Sequence, residues 1–213
     1  MEDVRQLKRL KGTTTVGLVC SDGVVLAADK RATMGYFIAN KDVPKIFEID
    51  RHLGMTVAGA VGDAQTLVRL MQAEARLYRL DKNKPMPVKA ATTLLANVMN
   101  QYKLFPFFVQ ILVAGIDEKP GIYNLDPVGG MTEERFVSTG SGSLTAYGYL
   151  EEMYREDRPA KENLKTAAKA VQIAIRRDAG TGDGIDLVSI TSEGFRRYSK
   201  DEVKKLLEAK HAE

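Results

Sequence analysis

The apolar segments of this chain fall into an order that few folds accommodate. Strand-like runs come first, over residues 14–20, 24–28, 46–49 and 55–60, with Ser21-Asp22-Gly23 as a hairpin turn and residues 34–42 as a loop. A long helix is then expected from Gly62-Asp63, with Asp63 as its N-cap and Ala64, Leu67, Val68, Met71, Ala75 and Tyr78 on one face. A second helix follows Pro87 through Val88, Ala91, Leu95, Val98 and Tyr102. Strands return over 109–116, 121–125 and 135–139, and the Gly140-Ser141-Gly142-Ser143 loop opens a helix to about Tyr154. Asn163 is the expected cap of another helix, with Leu164, Ala167, Ala168, Val171 and Ile175 inward and Gly180 at its C′ position. Strands over 185–191 and 195–198 precede a last helix, started by a Ser199/Glu202 capping box and reaching about Lys210. Helices therefore arrive in pairs between groups of strands, which argues against a doubly wound βαβ sheet. The pattern fits an α+β fold, a four-layer αββα sandwich of two antiparallel β-sheets between helical layers.

The stretch Lys11-Gly12-Thr13-Thr14-Thr15-Val16-Gly17 marks where the built part of the chain begins. Residues 1–12 mix charges with scattered leucines and read as a propeptide or as a solvated tail. A cut between Gly12 and Thr13 would leave Thr13 with a hydroxyl and a free α-amine on one residue. Such an amine titrates at about 7.7–8.0 and can serve as the base for its own hydroxyl. The plain alternative is a β-branched strand start. Two further features bear on a site. Asp29 closes a buried strand and needs a cationic or hydrogen-bonding partner. Gly59, inside an apolar strand, marks either close approach of a substrate or an ordinary bulge.

Other chemistries have little to stand on. The two histidines, His52 and His211, are too few for an imidazole-based triad or a histidine metal site, so a hydrolase here needs another base. Cys20, the single cysteine, permits no internal disulfide and sits in an apolar strand. The net charge of +3 is small and mixed in sign, giving no electrostatic case for nucleic acid or a membrane surface. The longest apolar run, residues 104–115, is interrupted by Pro106 and Gln110 and is too short to span a bilayer. A cytoplasmic protein without metal or cofactor is expected.

Several of these motifs, taken together, resemble the β subunit of the archaeal-type proteasome core particle. They are Thr13-Thr14-Thr15-Val16-Gly17, Asp29-Lys30-Arg31, Lys45 before a strand, and Ala58-Gly59 followed by Val61-Gly62-Asp63-Ala64-Gln65. The run Ser138-Thr139-Gly140-Ser141-Gly142-Ser143 and the pair Arg177-Asp178 complete the set, in order over essentially the whole chain. The resemblance implies an N-terminal nucleophile hydrolase fold, made as a zymogen and cut autocatalytically between Gly12 and Thr13, leaving residues 13–213 as the catalytic domain.

Carried over by position, Thr13 resembles the nucleophile of a threonine endopeptidase and Lys45 the cation that lowers the hydroxyl's pKa. Asp29 resembles the carboxylate holding Lys45, with Arg31 bracing it. The Gly59 N–H resembles the oxyanion donor, and Ser141 with Asp178 the pair around the Thr13 amine. Thr181 stands where the family often has serine; the hydroxyl is kept and a methyl is added. Ala32, Val43, Phe47, Val57 and Val61 are the implied lining of an apolar pocket, giving cleavage after hydrophobic residues of unfolded proteins. The implied partners are homo-heptameric β rings stacked on α-subunit rings, with ATPase regulators reached through the α ring. A ring subunit without chemistry, or another amide hydrolase of the same fold, is the alternative; the presence of Thr13, Asp29, Lys45 and Asp178 speaks against the first.

Overall fold

Strand β2 (Gly23–Asp29) is buried at every residue because both of its faces are covered. Val25 and Ala27 point into one apolar cluster, under helices, while Val24, Leu26 and Ala28 point into another, between sheets. Side chains alternate across a strand, so a strand covered on both sides reads as a continuous apolar run. The computed structural model describes residues 12–209. The expected propeptide, apart from Gly12, and His211 lie outside the described residues.

Around β2 the first sheet has the order β10-β1-β2-β11-β12, every neighbouring pair antiparallel. Its other strands are β1 (Thr15–Cys20), β10 (Phe136–Thr139), β11 (Ile185–Thr191) and β12 (Gly194–Arg197). The second sheet runs β5 (Ile46–Asp50), β6 (Leu53–Gly59), β7 (Val109–Ile116), β8 (Pro120–Leu125) and β9 (Met131–Glu134), also antiparallel throughout. Helices α1 (Val61–Lys82) and α2 (Val88–Gln101) cover the outer face of the second sheet through Leu67, Met71, Leu95 and Met99. Helices α3 (Ser143–Met153), α4 (Ala160–Ile175) and α5 (Lys200–Glu208) cover the first through Ala146, Leu150, Leu164, Val171 and Val203. Leu26, Ile46, Leu112, Ile122 and Val188 fill the space between the sheets, so the four layers are helix, sheet, sheet, helix.

The structure departs from the sequence expectation at several elements. Residues 34–42 are not a plain loop, since β3 (Ala32–Met34) pairs with β4 (Phe37–Asn40) in a separate two-stranded sheet. Strand β9 was also not foreseen, because all four of its residues are polar or exposed. Helix α1 begins at Val61 with Ala60 as its N-cap, and Asp63 lies in its first turn, where Oδ2 accepts the Phe108 N–H at 2.8 Å. That bond ties the loop before β7 to the helix. Asn163 likewise lies inside α4, whose N-cap is Pro159; its side-chain amide donates to the Arg155 carbonyl at 2.9 Å. Gly180 is no C′ residue, because α4 ends at Ile175 and caps at Arg176. The Ser199/Glu202 capping box of α5 is present in both of its bonds.

Candidate active site

Both sheets end at the same place, and the candidate residues lie on those ends. Asp29 is the last residue of β2, fully buried, and its carboxylate meets four donors. Oδ1 accepts the Thr14 N–H at 2.9 Å and the Lys45 ammonium at 2.7 Å. Oδ2 accepts the N–H groups of Arg31 at 3.1 Å and Gly182 at 2.9 Å. These four donors answer the need for a partner seen at the strand's end. Lys45 precedes β5 of the other sheet, so the ion pair spans the sandwich. Burial pulls the Lys45 ammonium below the usual lysine range, with Asp29 acting in the opposite direction.

Thr13 precedes β1 and is 5% exposed. Its hydroxyl donates to the Gly12 carbonyl at 2.6 Å, and its N–H donates to Ser141 Oγ at 3.2 Å. Ser141, in the loop after β10, donates in turn to Asp178 Oδ2 at 2.5 Å. Thr181 donates to the same oxygen at 2.5 Å and lies 2.7 Å from the Thr14 hydroxyl. A chain of hydroxyls thus converges on one carboxylate beside Thr13. The added methyl of Thr181 is accommodated, since the residue is 1% exposed with its hydroxyl fully engaged.

The Arg31 side chain goes elsewhere than expected. It bonds Asp183 at 2.7 Å and the Ala179 carbonyl at 2.9 Å, so only its backbone N–H holds Asp29. The guanidinium instead pins the 178–184 loop, which carries Asp178, Thr181 and Gly182, onto the end of β2. Asp183 holds the Arg31 guanidinium's pKa above its ordinary value, and Arg31 holds Asp183 below its own.

Gly59 ends β6 with φ +139°, where a β-carbon would collide with the Phe108 carbonyl. Close packing of β6 on β7 therefore demands glycine whatever else occupies the site. Gly59 also lines a cavity of about 380 Å³ shared with Thr13 and Lys45. Ala32, Val43, Phe47, Val57 and Val61 all line it too. Thr33, Met34 and Ala39 of the unforeseen β3–β4 hairpin form the rest of one wall, and Ala64 and Gln65 of α1 another. Of the hairpin's lining residues Ala32 was foreseen, while Thr33, Met34 and Ala39 were not, because the exposed hairpin shows no strand period in its sequence. The hydroxyl of Thr14 and the N–H of Gly182 were also missed; the Gly180-Thr181-Gly182-Asp183-Gly184 run was the signal for the latter.

Among the described residues no group of three or more His, Cys, Asp and Glu could hold a metal ion, and no helix is long and apolar enough to cross a membrane. Cys20 lies apart from the site, and burial pushes its thiol up to about 12.

A family model described as "Proteasome subunit" matches residues 10–190. A Methanosarcina mazei protein named proteasome subunit beta is 52% identical over 199 residues, 92% of this chain and 95% of that protein. Proteasome subunit beta 1 of Thermococcus onnurineus is 49% identical over 94% of this chain and 98% of its own length. Proteasome subunit beta 2 of Pyrococcus abyssi is 50% identical over 94% and 97%.

Proposed function

The chain belongs to the proteasome subunit family, as a β-type peptidase subunit of a proteasome particle, and from that premise we propose that it is a threonine endopeptidase acting through Thr13. The observation that carries the reading is the buried Thr13 hydroxyl, 2.6 Å from the Gly12 carbonyl oxygen, in a cavity lined also by Lys45 and Gly59. Residues 1–12 are a propeptide, and residues 13–213 the mature domain. While Gly12 is attached, the Thr13 nitrogen is an amide and cannot act as a base, so the precursor is a zymogen.

After the cut, the Thr13 hydroxyl attacks a peptide carbonyl and the α-amine takes its proton, directly or through a water. Lys45 stabilises the developing alkoxide, and Asp29 holds Lys45 in place. The Gly59 N–H receives the oxyanion, a preorganised contact typically worth about 3–4 kcal/mol in the transition state. Ser141, Asp178 and Thr181 orient the amine and the hydrolytic water. Collapse of the tetrahedral species, with the α-ammonium returning its proton to the leaving nitrogen, releases the amine-side peptide and leaves an ester on Thr13. Water then hydrolyses it, its hydroxyl going to the acyl carbon and its proton to the Thr13 oxygen.

The apolar lining of Ala32, Val43, Phe47, Val57 and Val61 favours hydrophobic residues on the carbonyl side of the cut bond. An acidic side chain there would lose hydration without gaining a partner among them. Unfolded proteins are the substrates, in the cytoplasm. The chain forms heptameric rings stacked on α-subunit rings, and ATPase regulators act through the α ring. The test is the intact mass of the chain co-assembled with an α subunit, together with its turnover of fluorogenic peptides. The reading requires loss of residues 1–12 from active particles and faster cleavage after Leu or Phe than after Glu, by about tenfold or more. Active particles that keep residues 1–12 on every copy would sink it.

A further inference from the structure

Gly12 and Gly180 are packed backbone to backbone. A β-carbon built on Gly12 finds its three nearest atoms in Gly180, all backbone and all closer than any real contact; one built on Gly180 finds its three nearest in Gly12. Gly180 does not have the positive φ that would by itself explain the absence of a side chain. The Gly12 N–H, meanwhile, donates to the Thr33 hydroxyl at 3.0 Å. Gly180 lies in the loop that Arg31 pins, and Thr33 lies on β3 and lines the cavity. The peptide preceding Thr13 is thus held from two sides, by the 178–184 loop and by β3.

We propose that Gly180 is a specificity-determining residue for the self-processing step, acting with the Thr33 hydroxyl as a clamp that admits only glycine at position 12. This rests on the reading of Gly12–Thr13 as the processed bond. In that step the Thr13 hydroxyl oxygen bonds the Gly12 carbonyl carbon and the bond from that carbon to the Thr13 nitrogen breaks. The hydroxyl proton passes to the nitrogen, which becomes the α-amine. Water then cleaves the ester, its hydroxyl going to the Gly12 carboxyl group and its proton to the Thr13 oxygen. The attack needs the carbonyl carbon at bonding approach to a hydroxyl already 2.6 Å from its oxygen, so a shift of Gly12 by a methyl's width is costly. Once residues 1–12 leave, the atoms nearest a methyl at position 180 leave with them. The clamp therefore constrains processing and not turnover.

The experiment compares Gly180→Ala in two forms co-assembled with the α subunit: the full chain, and a chain produced to begin at Thr13. Processing is followed by intact mass and turnover by a fluorogenic peptide. The expected result is precursor processed roughly 100-fold more slowly than the parent, as about 1 Å of misplacement would give, with the pre-cut form turning over peptide within about twofold of the parent's pre-cut form. Gly12→Ala should slow processing equally. Processing of Gly180→Ala at the parent rate overturns the clamp, and so does a pre-cut Gly180→Ala chain that folds, assembles and is inactive. A parent chain that is never processed overturns the reading beneath it instead, so the two failures are distinguishable.

Discussion

Asp29 and Lys45 show how one buried pair constrains the chemistry around it. The carboxylate takes four donors, so it fixes the ammonium, the Thr14 N–H and the 178–184 loop at once. Because burial holds the Lys45 pKa below its ordinary value, the folded state loses this proton before the unfolded chain does. Between the depressed value and the unfolded value of about 10.4, the unfolded state binds more protons, so Lys45's contribution to stability rises with pH while the cation proposed to assist the Thr13 hydroxyl is lost. The alkaline limb of kcat/KM should accordingly lie below the usual lysine range, and Asp29→Asn should move it lower still, together with a loss of about 3–5 kcal/mol of stability from the unpaired ammonium. A pH profile of the variant with an unmoved or raised alkaline limb would remove Lys45 from its role. Thr13→Ala should keep residues 1–12 by intact mass and show no turnover, whereas a preparation of that variant with measurable cleavage would relocate the nucleophile. Asp29 and Thr13 stood out in the sequence as a charged group ending a buried strand and a threonine after glycine, whereas Lys45 was singled out only through the family resemblance. The destination of the Arg31 side chain was not legible, since nothing in the local sequence ties it to Asp183, 152 positions away.

At the scale of elements, the long apolar segments declared themselves and the short polar ones did not. β2, β6 and β7 are covered on both faces, so their sequences are nearly continuous apolar runs, and α1 and α4 bury the stripes their spacing foretold. The β3–β4 hairpin exposes Met34, Tyr36 and Phe37, so no period distinguishes it from a loop; its existence depends on cross-strand pairing and not on core burial. Helix starts were displaced because Asp63 and Asn163, both good caps in isolation, are used inside the first turn to hold neighbouring loops. Ser199 has no such second duty, and Ser199→Ala should cost about 1 kcal/mol, read as a drop in Tm of roughly 2–4 °C. The 178–184 loop makes a sharper case. Arg31→Met keeps the aliphatic stem but releases Asp183 and the Ala179 carbonyl, so Asp178 and Thr181 lose their fixed position. Peptide turnover should fall by about tenfold or more with Tm changed by only a few degrees, because a partly exposed ion pair adds little stability. A variant whose Tm collapses while its turnover per folded molecule is kept would make Arg31 a structural residue alone.

The site exists only because the two sheets are held in one relation. Thr13 and Asp29 belong to the ends of the first sheet, Lys45 and Gly59 to the ends of the second, and the Lys45–Asp29 pair crosses between them. Behind that pair the Thr56 hydroxyl of the second sheet donates to Thr15 of the first at 3.2 Å, and Thr15 meets Thr139 at 2.6 Å. The spacing of the layers is set farther in, where glycines let the sheets close up. A β-carbon on Gly54 would stand 2.8 Å from Ile190 Cδ1 and 3.2 Å from the Phe195 ring, and one on Gly17 would stand 3.2 Å from Ile122 Cδ1. Overpacking a close-packed interior displaces its walls. Gly54→Val should therefore part the sheets slightly, at about 1–3 kcal/mol of stability. Displacement of Lys45 and Gly59 relative to Thr13 by even a fraction of an ångström should lower kcat by about tenfold to 100-fold. A substitution equally deep but outside the sheet–sheet interface, such as Leu150→Ala under α3, should cost about 2–5 kcal/mol through its cavity and leave kcat of the folded particle nearly unchanged. Measuring kcat on particles of matched folded fraction separates the two. Equal losses of kcat from both variants would mean that the distance between the sheets is not what sets the geometry of the site.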